Sequence, residues 1–416
     1  MKVCIHRGTQ QIGGTCIEIE AEGRRLVLDL GLPLDAEDFD DMESLLPDVP
    51  GFKEPDDSLL GVLISHPHQD HYGLTRYIRP EVPVLIGEKA KRILAAASLF
   101  TPSGVVFNET ITLIDREPLT LGPFTITPYL VDHSAYDAYA LLVEAGGKRL
   151  FYSGDFRGHG RKRALFDWLL REPPPEIDVL LMEGTTLGRE DHGPTIPAES
   201  ELEEMFLERF RDTEGMALVM ASAQNIDRMV TVFRACKRSG RQLLIDLYAA
   251  EVLHATGNPN IPQSFWEGVR LFVPHYQRVH VKNEELFPTL VRHSSNRIFP
   301  ERLAEEASKS VMLFRGGMRR DLERAGCLSG ASLIYSLWEG YLAEDSARPW
   351  REWLERHGIP MTIIHTSGHA SPADLRRFAA AIAPRMLVPI HSFHTDRFSE
   401  LFDNVERKTD GECWGV

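Results

Sequence analysis

The chain has 416 residues, enough for two or three domains with separate cores, and its 43% hydrophobic and 26% charged residues are ordinary globular composition. No apolar run approaches the roughly 18 residues that a membrane-spanning helix needs, so no membrane partner is expected. The net charge of −15 argues against a protein that coats nucleic acid through bulk electrostatics. It leaves room for an enzyme whose nucleic-acid contacts are confined to a cleft where metals supply positive charge.

The opening residues Met1-Lys2-Val3-Cys4-Ile5-His6 lack the hydrophobic region of a signal peptide, which predicts a soluble, cytoplasmic protein. The five cysteines (Cys4, Cys16, Cys236, Cys327, Cys413) are scattered and form no CxxC pair. That pattern fits a reducing compartment and speaks against thiolate metal ligation.

Residues 3–7, 15–20 and 25–30 read as short strands separated by Gly13-Gly14 and by Ala21-Glu22-Gly23. Asp29 ends the third just before a glycine turn, where a carboxylate is suited to orienting a metal-bound histidine. The apolar run Gly61-Val62-Leu63-Ile64 reads as a buried strand, and Ser65-His66-Pro67-His68-Gln69-Asp70-His71-Tyr72-Gly73 follows it directly. Side chains alternate along an extended segment, so His66 and His68 point the same way and can grip one cation. Asp70 and His71 come after the chain begins to turn and can face a second. Imidazole nitrogen and carboxylate oxygen are ligands that zinc accepts, with manganese as the alternative.

Helices are predicted over 74–79 and 87–100, then strands over 111–114, 124–131 and 138–144. His133, between the last two, supplies a third nitrogen for the His66 and His68 site. The strand Arg149-Leu150-Phe151-Tyr152 leads through Ser153-Gly154 to Asp155, whose two oxygens suit it to bridge two cations. The basic turn Gly158-His159-Gly160-Arg161-Lys162-Arg163 reads equally as a phosphate contact or a solvated turn.

The order Asp29, His66-x-His68-x-Asp70-His71, His133, Asp155 resembles the metallo-β-lactamase superfamily, in which these positions hold two metals between paired β-sheets. Glu183, at the end of Val179-Leu180-Leu181-Met182, looks like the acidic motif A of the β-CASP nuclease branch, with glutamate in place of the commoner aspartate. Residues 221–228 are similar to a segment early in the β-CASP insertion. His365-Thr366-Ser367-Gly368-His369-Ala370 resembles motif B of the bacterial ribonuclease J family, and Val388-Pro389-Ile390-His391 resembles motif C.

His391 follows the strand 386–390 and can complete the second site. That gives His66, His68 and His133 on one metal, Asp70, His71 and His391 on the other, and Asp155 between them. The resemblance implies a catalytic role for Asp70, His369 and Glu183, with His369 stabilising the transition-state phosphate or protonating the leaving oxygen. Ser367, Gly368 and the amides around Ala370 stand ahead of the predicted helix 372–383, where a phosphate can bind, and Ser371 is suited to cap that helix. His365 reads equally as ligand support and as a phosphate contact. The other histidines (His6, His159, His192, His254, His275, His280, His293, His357, His394) have no spacing partner and are taken as structural or surface residues.

The expected fold class is therefore α/β, a metallo-β-lactamase αββα sandwich with an inserted α/β β-CASP domain. Residues 1–196 and 351–416 form the first domain, and residues 197–350 the insertion, a small parallel α/β unit of alternating helices and short strands. The segment 362–365 is expected to return to the first domain as a strand. Arg315-Gly316-Gly317-Met318-Arg319-Arg320 offers three cations that read as nucleic-acid contacts or as a solvated turn.

The activity implied is phosphodiester hydrolysis of single-stranded RNA by two zinc ions, in a 5′-exonuclease or endonuclease mode. DNA is the alternative substrate, and an oligomer is compatible with the sequence. A non-catalytic RNA-binding protein and a thioesterase fit less well, because every metal position is filled and a thioesterase needs neither the insertion nor His369. With 25 residues after His391, the C-terminal domain of the ribonuclease J family is expected to be missing.

Overall fold

The computed structural model describes residues 1–36, 41–188 and 196–416, so His192 lies outside the described residues. In chain order the strands are β1 (Lys2–Arg7), β2 (Cys16–Ala21), β3 (Arg24–Leu28), β4 (Leu59–Leu63), β5 (Val84–Gly87), β6 (Thr110–Leu113), β7 (Leu119–Leu121), β8 (Phe124–Leu130), β9 (Tyr139–Ala145), β10 (Lys148–Tyr152) and β11 (Val179–Glu183). Then follow β12 (Ala217–Met220), β13 (Gln242–Ile245), β14 (Val269–Phe272), β15 (Arg297–Ile298), β16 (Ser310–Leu313), β17 (Ser332–Tyr335), β18 (Met361–Ile363), β19 (Met386–Ile390) and β20 (Cys413–Gly415).

Residues Met1–Ile196 and Gly368–Val416 make one compact unit, and Pro197–Ser367 a second. The first unit holds a seven-stranded sheet, β20-β1-β2-β3-β4-β5-β6, and a six-stranded sheet, β19-β11-β10-β9-β8-β7. Alternation along the strands builds its layers. Leu26 and Leu28 of β3 join Leu141 and Val143 of β9 in the core between the sheets. Val27 faces outward onto Leu94 of the helix Glu88–Ser98, whereas Ala140 and Leu142 face the opposite way onto the helix Pro372–Ile382. That last helix buries Leu375, Phe378, Ala379 and Ile382, the i, i+3, i+4, i+7 stripe of an amphipathic surface helix. The result is the αββα sandwich.

The second unit is one parallel sheet, β15-β14-β13-β16-β12-β17-β18. Its central strands carry short buried apolar runs, Leu243–Ile245, Val311–Leu313 and Leu333–Tyr335, as both faces of a parallel sheet require.

Four expectations are corrected. The second unit extends to Ser367 rather than ending at 350, because the helix Arg348–Arg356 buries Trp350 and Trp353, which stack on Tyr335 and Phe314. For the same reason the strand at 361–363 stays in the second unit, paired in parallel with β17. Cys4 and Cys413 form a disulfide: antiparallel pairing of β1 with β20 sets them opposite each other, Cα atoms 4.1 Å apart. The remaining cysteines are free and buried. The helix predicted at 74–79 is only a 3₁₀ turn, Thr75–Tyr77.

Candidate metal centre

The site lies in the first unit, where the carboxyl ends of strands from both sheets bring their loops together. After β4 the segment turns into a single helical turn, Gln69–Tyr72, clamped by its own neighbours: Leu30 and Leu32 amides donate to the carbonyls of His71 (2.8 Å) and Gln69 (2.9 Å). The contact is so close that a Cβ on Gly31 would fall 1.7 Å from the Asp70 carbonyl oxygen, which only glycine permits.

Ligand atoms of His66, His68 and His133 lie within 4.8 Å of one another, as do those of Asp70, His71, Asp155 and His391. Asp155 stands between the sets: its Oδ2 is 3.1 Å from His71 Nε2 and 3.6 Å from the Nε2 of both His391 and His66. His66 Nε2, His391 Nε2 and Asp155 Oδ1 are buried without a hydrogen-bond partner. Buried polar atoms are rarely left so, and a cation in each set would satisfy them, His66 in one, His391 in the other and Asp155 between, so the donor set fits divalent metal.

Four of the five imidazoles are held from behind. His71 Nδ1 donates to Asp29 Oδ2 (2.7 Å), and His133 Nδ1 donates to the Gly368 carbonyl (2.6 Å), which leaves their Nε2 lone pairs facing the centre. His391 Nδ1 pairs with Thr15 Oγ1 at 2.9 Å, and His66 Nδ1 with Ser65 Oγ at 3.0 Å. Asp29 is the hub of this support: Oδ1 accepts from the Ser65 amide, and Oδ2 from Ser65 Oγ and the Tyr152 hydroxyl. Asp29 and His391 both adopt left-handed backbone, φ +55° and +49°, a strained choice for side-chain-bearing residues. The His391 amide is tied in that turn to the Gly8 carbonyl.

Burial pushes His66, His133 and His391 down, and His68 down to about 4, aided by neighbouring imidazoles. They are therefore neutral ligands at neutral pH. Burial also opposes charge on His71, but Asp155, Asp70 and Asp29 together carry it well above the usual histidine range. Asp155 is held well below the carboxylate range: burial works against ionisation, and His391, His71 and His369 overcome it.

His369 stands beside the two sets and forms a third group of ligand atoms with Asp155 and Glu183, again within 4.8 Å of one another. Its Nδ1 is 3.3 Å from Glu183 Oε2 and 3.6 Å from Asp155 Oδ2. Glu183 is itself fixed by the amides of Phe156 (3.1 Å) and Thr185 (3.2 Å).

The Ala370 expectation is corrected. That residue is 1% exposed, its amide donates to Glu183 Oε1, and its carbonyl accepts from Thr186, so it offers no donor to a phosphate. Gly368 turns out to orient His133. His365 and Ser367 belong to the second unit, where the Ile364 amide donates to the Tyr335 carbonyl and Thr366 to the Pro197 carbonyl. The basic turn folds against the His133 loop: Lys162 Nζ donates to the His133 carbonyl, and the Gly160 amide to Asp132. Ser371 caps the following helix by accepting from the Asp374 amide.

Sequence reasoning missed Thr15, Ser65 and Tyr152 as supports. The one available signal was Ser65 adjoining His66; the other two carry no local mark.

Residues 41–206 match the β-lactamase superfamily domain model. The chain is similar to ribonuclease J of Helicobacter pylori (strain B128), 22% identical over 92% of this chain and 55% of the relative. It is also similar to ribonuclease J of Mycolicibacterium smegmatis, 24% identical over 94% of this chain and 68% of the relative. It spans 55% of the length of the first of these. A crystal structure of a protein of unknown function from Enterococcus faecalis V583 matches with a TM-score of 0.78 at 21% identity, over 99% of both chains. Among the described residues no helix is long and apolar enough to cross a membrane.

Proposed function

We propose that this chain, a metallo-β-lactamase-fold protein similar to ribonuclease J over most of its length, is a metal-dependent phosphodiesterase that hydrolyses single-stranded RNA. The observation that carries the reading is Asp155, a buried carboxylate set between two groups of ligand atoms. One group is His66, His68 and His133, the other Asp70, His71 and His391, and together they suit two divalent cations, zinc or manganese. Two such cations supply an acidified water and stabilise the charge that develops at phosphorus.

The chain's own residues then have separable tasks. Asp29, Ser65, Thr15 and the Gly368 carbonyl lock the imidazoles, so no reorganisation accompanies the reaction. Asp70, with 17% of its side chain exposed, and His68 are the partly exposed ligands. His369, aligned by Glu183, is positioned to hold a phosphate oxygen or to deliver a proton to the leaving 3′ oxygen.

The test is incubation of 5′-monophosphorylated RNA and of DNA of the same sequence, each labelled at one end, with and without chelator. RNA loss that stops on chelation, with a ladder or mononucleotide product giving the polarity, is expected. Undiminished cleavage in chelator, or preference for DNA, would overturn the assignment.

A further inference from the structure

The parallel sheet of the second unit reverses its winding between β13 and β16. The chain leaving β13 passes through the helix Leu247–Ala255 to β14 on one side, and the chain leaving β16 passes through Arg319–Ala325 to β17 on the other. Loops that part in this way open a crevice outside the carboxyl ends of the strands, the usual ligand position in such sheets. Asp246 directly follows β13, and Arg315 stands just beyond β16.

Asp246 is 1% exposed and its oxygens are taken: Oδ1 accepts from the Ala249 amide (2.8 Å), Oδ2 from Gln277 Nε2 (3.0 Å) and from Arg315 Nε. Arg315 is thus gripped at Nε alone. Its Cζ lies 5.0 Å from the centre of the Tyr248 ring, and the Tyr248 hydroxyl accepts from Gln224 Nε2 at 2.9 Å. Its Nη2 is buried with no acceptor. A guanidinium serving only as a strut would place its forked edge on the carboxylate; here it meets the carboxylate through Nε, which leaves Nη2 without an acceptor in a side chain 25% exposed. Beside it, Tyr276 is 39% exposed and packs against the turn after Arg315, where a Cβ on Gly317 would come within 3.0 Å of the ring.

A fixed guanidinium near a partly exposed aromatic ring matches the two halves of a nucleotide. We infer that this crevice binds one nucleotide unit of an RNA strand, its phosphate on Arg315 and its base stacked on Tyr276. The inference rests on the RNA reading above for its substrate class, but the two are separable by experiment.

The full metal-loaded chain is titrated with a fluorescent, hydrolysis-resistant phosphorothioate oligoadenylate by anisotropy over a range of salt, and with AMP by calorimetry. Arg315→Ala should weaken binding of both about tenfold or more and reduce the slope of log affinity against log salt by about 0.7, one phosphate contact. Arg315→Lys, which keeps the charge without the fork and guards against misfolding of the alanine variant, should fall between. Tyr276→Ala, at an exposed ring, should weaken binding roughly 5- to 100-fold with the salt slope unchanged. If the chain degrades RNA yet all three variants bind as the parent does, the crevice assignment is overturned and the nuclease reading stands. Arg315-dependent AMP binding without RNA cleavage would keep the crevice, with a free nucleotide as its ligand, and remove the nuclease reading.

Discussion

At the residue scale, the distinction that matters is between atoms that face the centre and atoms that hold those in place. His369 touches Glu183 and Asp155 but belongs to neither histidine-rich ligand set. His369→Ala is therefore expected to lower kcat by about 10²- to 10⁴-fold with bound metal unchanged by elemental analysis; loss of metal instead would make it a ligand. Asp29 acts one step back, through His71. Asp29→Asn removes the anionic acceptor behind that imidazole and should weaken metal affinity by about 10- to 100-fold in a chelator competition. The histidine shifts have a consequence in the metal-free chain. A depressed folded pKa means that the unfolded chain takes up protons first as the pH falls below about 6.5, so each of His66, His133 and His391 contributes stability that is full above that value. That stability is lost as the pH drops toward the folded values, for His68 about 4. His71 runs the other way: its folded pKa is raised, so its contribution is present below about 6.5 and fades as the pH climbs through the folded value. With depressed histidines outnumbering the raised one, the midpoint of urea unfolding in chelator should fall between pH 7 and pH 4.5; a flat profile would contradict the burial argument.

At the element scale, the single helical turn Gln69–Tyr72 is held by close backbone approach to the segment after β3, and Gly31 is the point of nearest contact. Gly31→Ala must push a methyl into the Asp70 carbonyl. It should cost about 1–3 kcal/mol in denaturant unfolding and displace Asp70, so that metal occupancy falls together with stability. The terminal strands offer a second test. The bond between Cys4 and Cys413 closes nearly the whole chain into a loop, so Cys413→Ser should lower stability by about 2–5 kcal/mol under oxidising conditions and by little in the presence of dithiothreitol.

At the scale of the whole molecule, a cation that binds only the folded site stabilises by mass action, about 4 kcal/mol at a thousand times its dissociation constant. Adding chelator should therefore lower the melting temperature of the metal-loaded chain, and restoring zinc or manganese should return it. Much of the centre was legible in the sequence. His66, His68, Asp70 and His71 fall within six residues, and strand periodicity and turn chemistry alone place them on one loop at a strand end. The sandwich itself was expected only from the family resemblance; the alternation of β3 and β9 and the stripe on the helix Pro372–Ile382 take on their layers in the folded chain. What the sequence left open or got wrong were pairings across long separations: Thr15 with His391 and Tyr152 with Asp29 went unread, while Cys4 with Cys413 and the sheet that residues 361–363 join were misread. Those choices belong to tertiary structure, because a hydroxyl, a lone cysteine or a three-residue strand has the same local chemistry whichever distant partner it meets. Ligand type is a property of the side chain, and so was readable; the partner behind each ligand is a property of packing, and only the folded chain decides it.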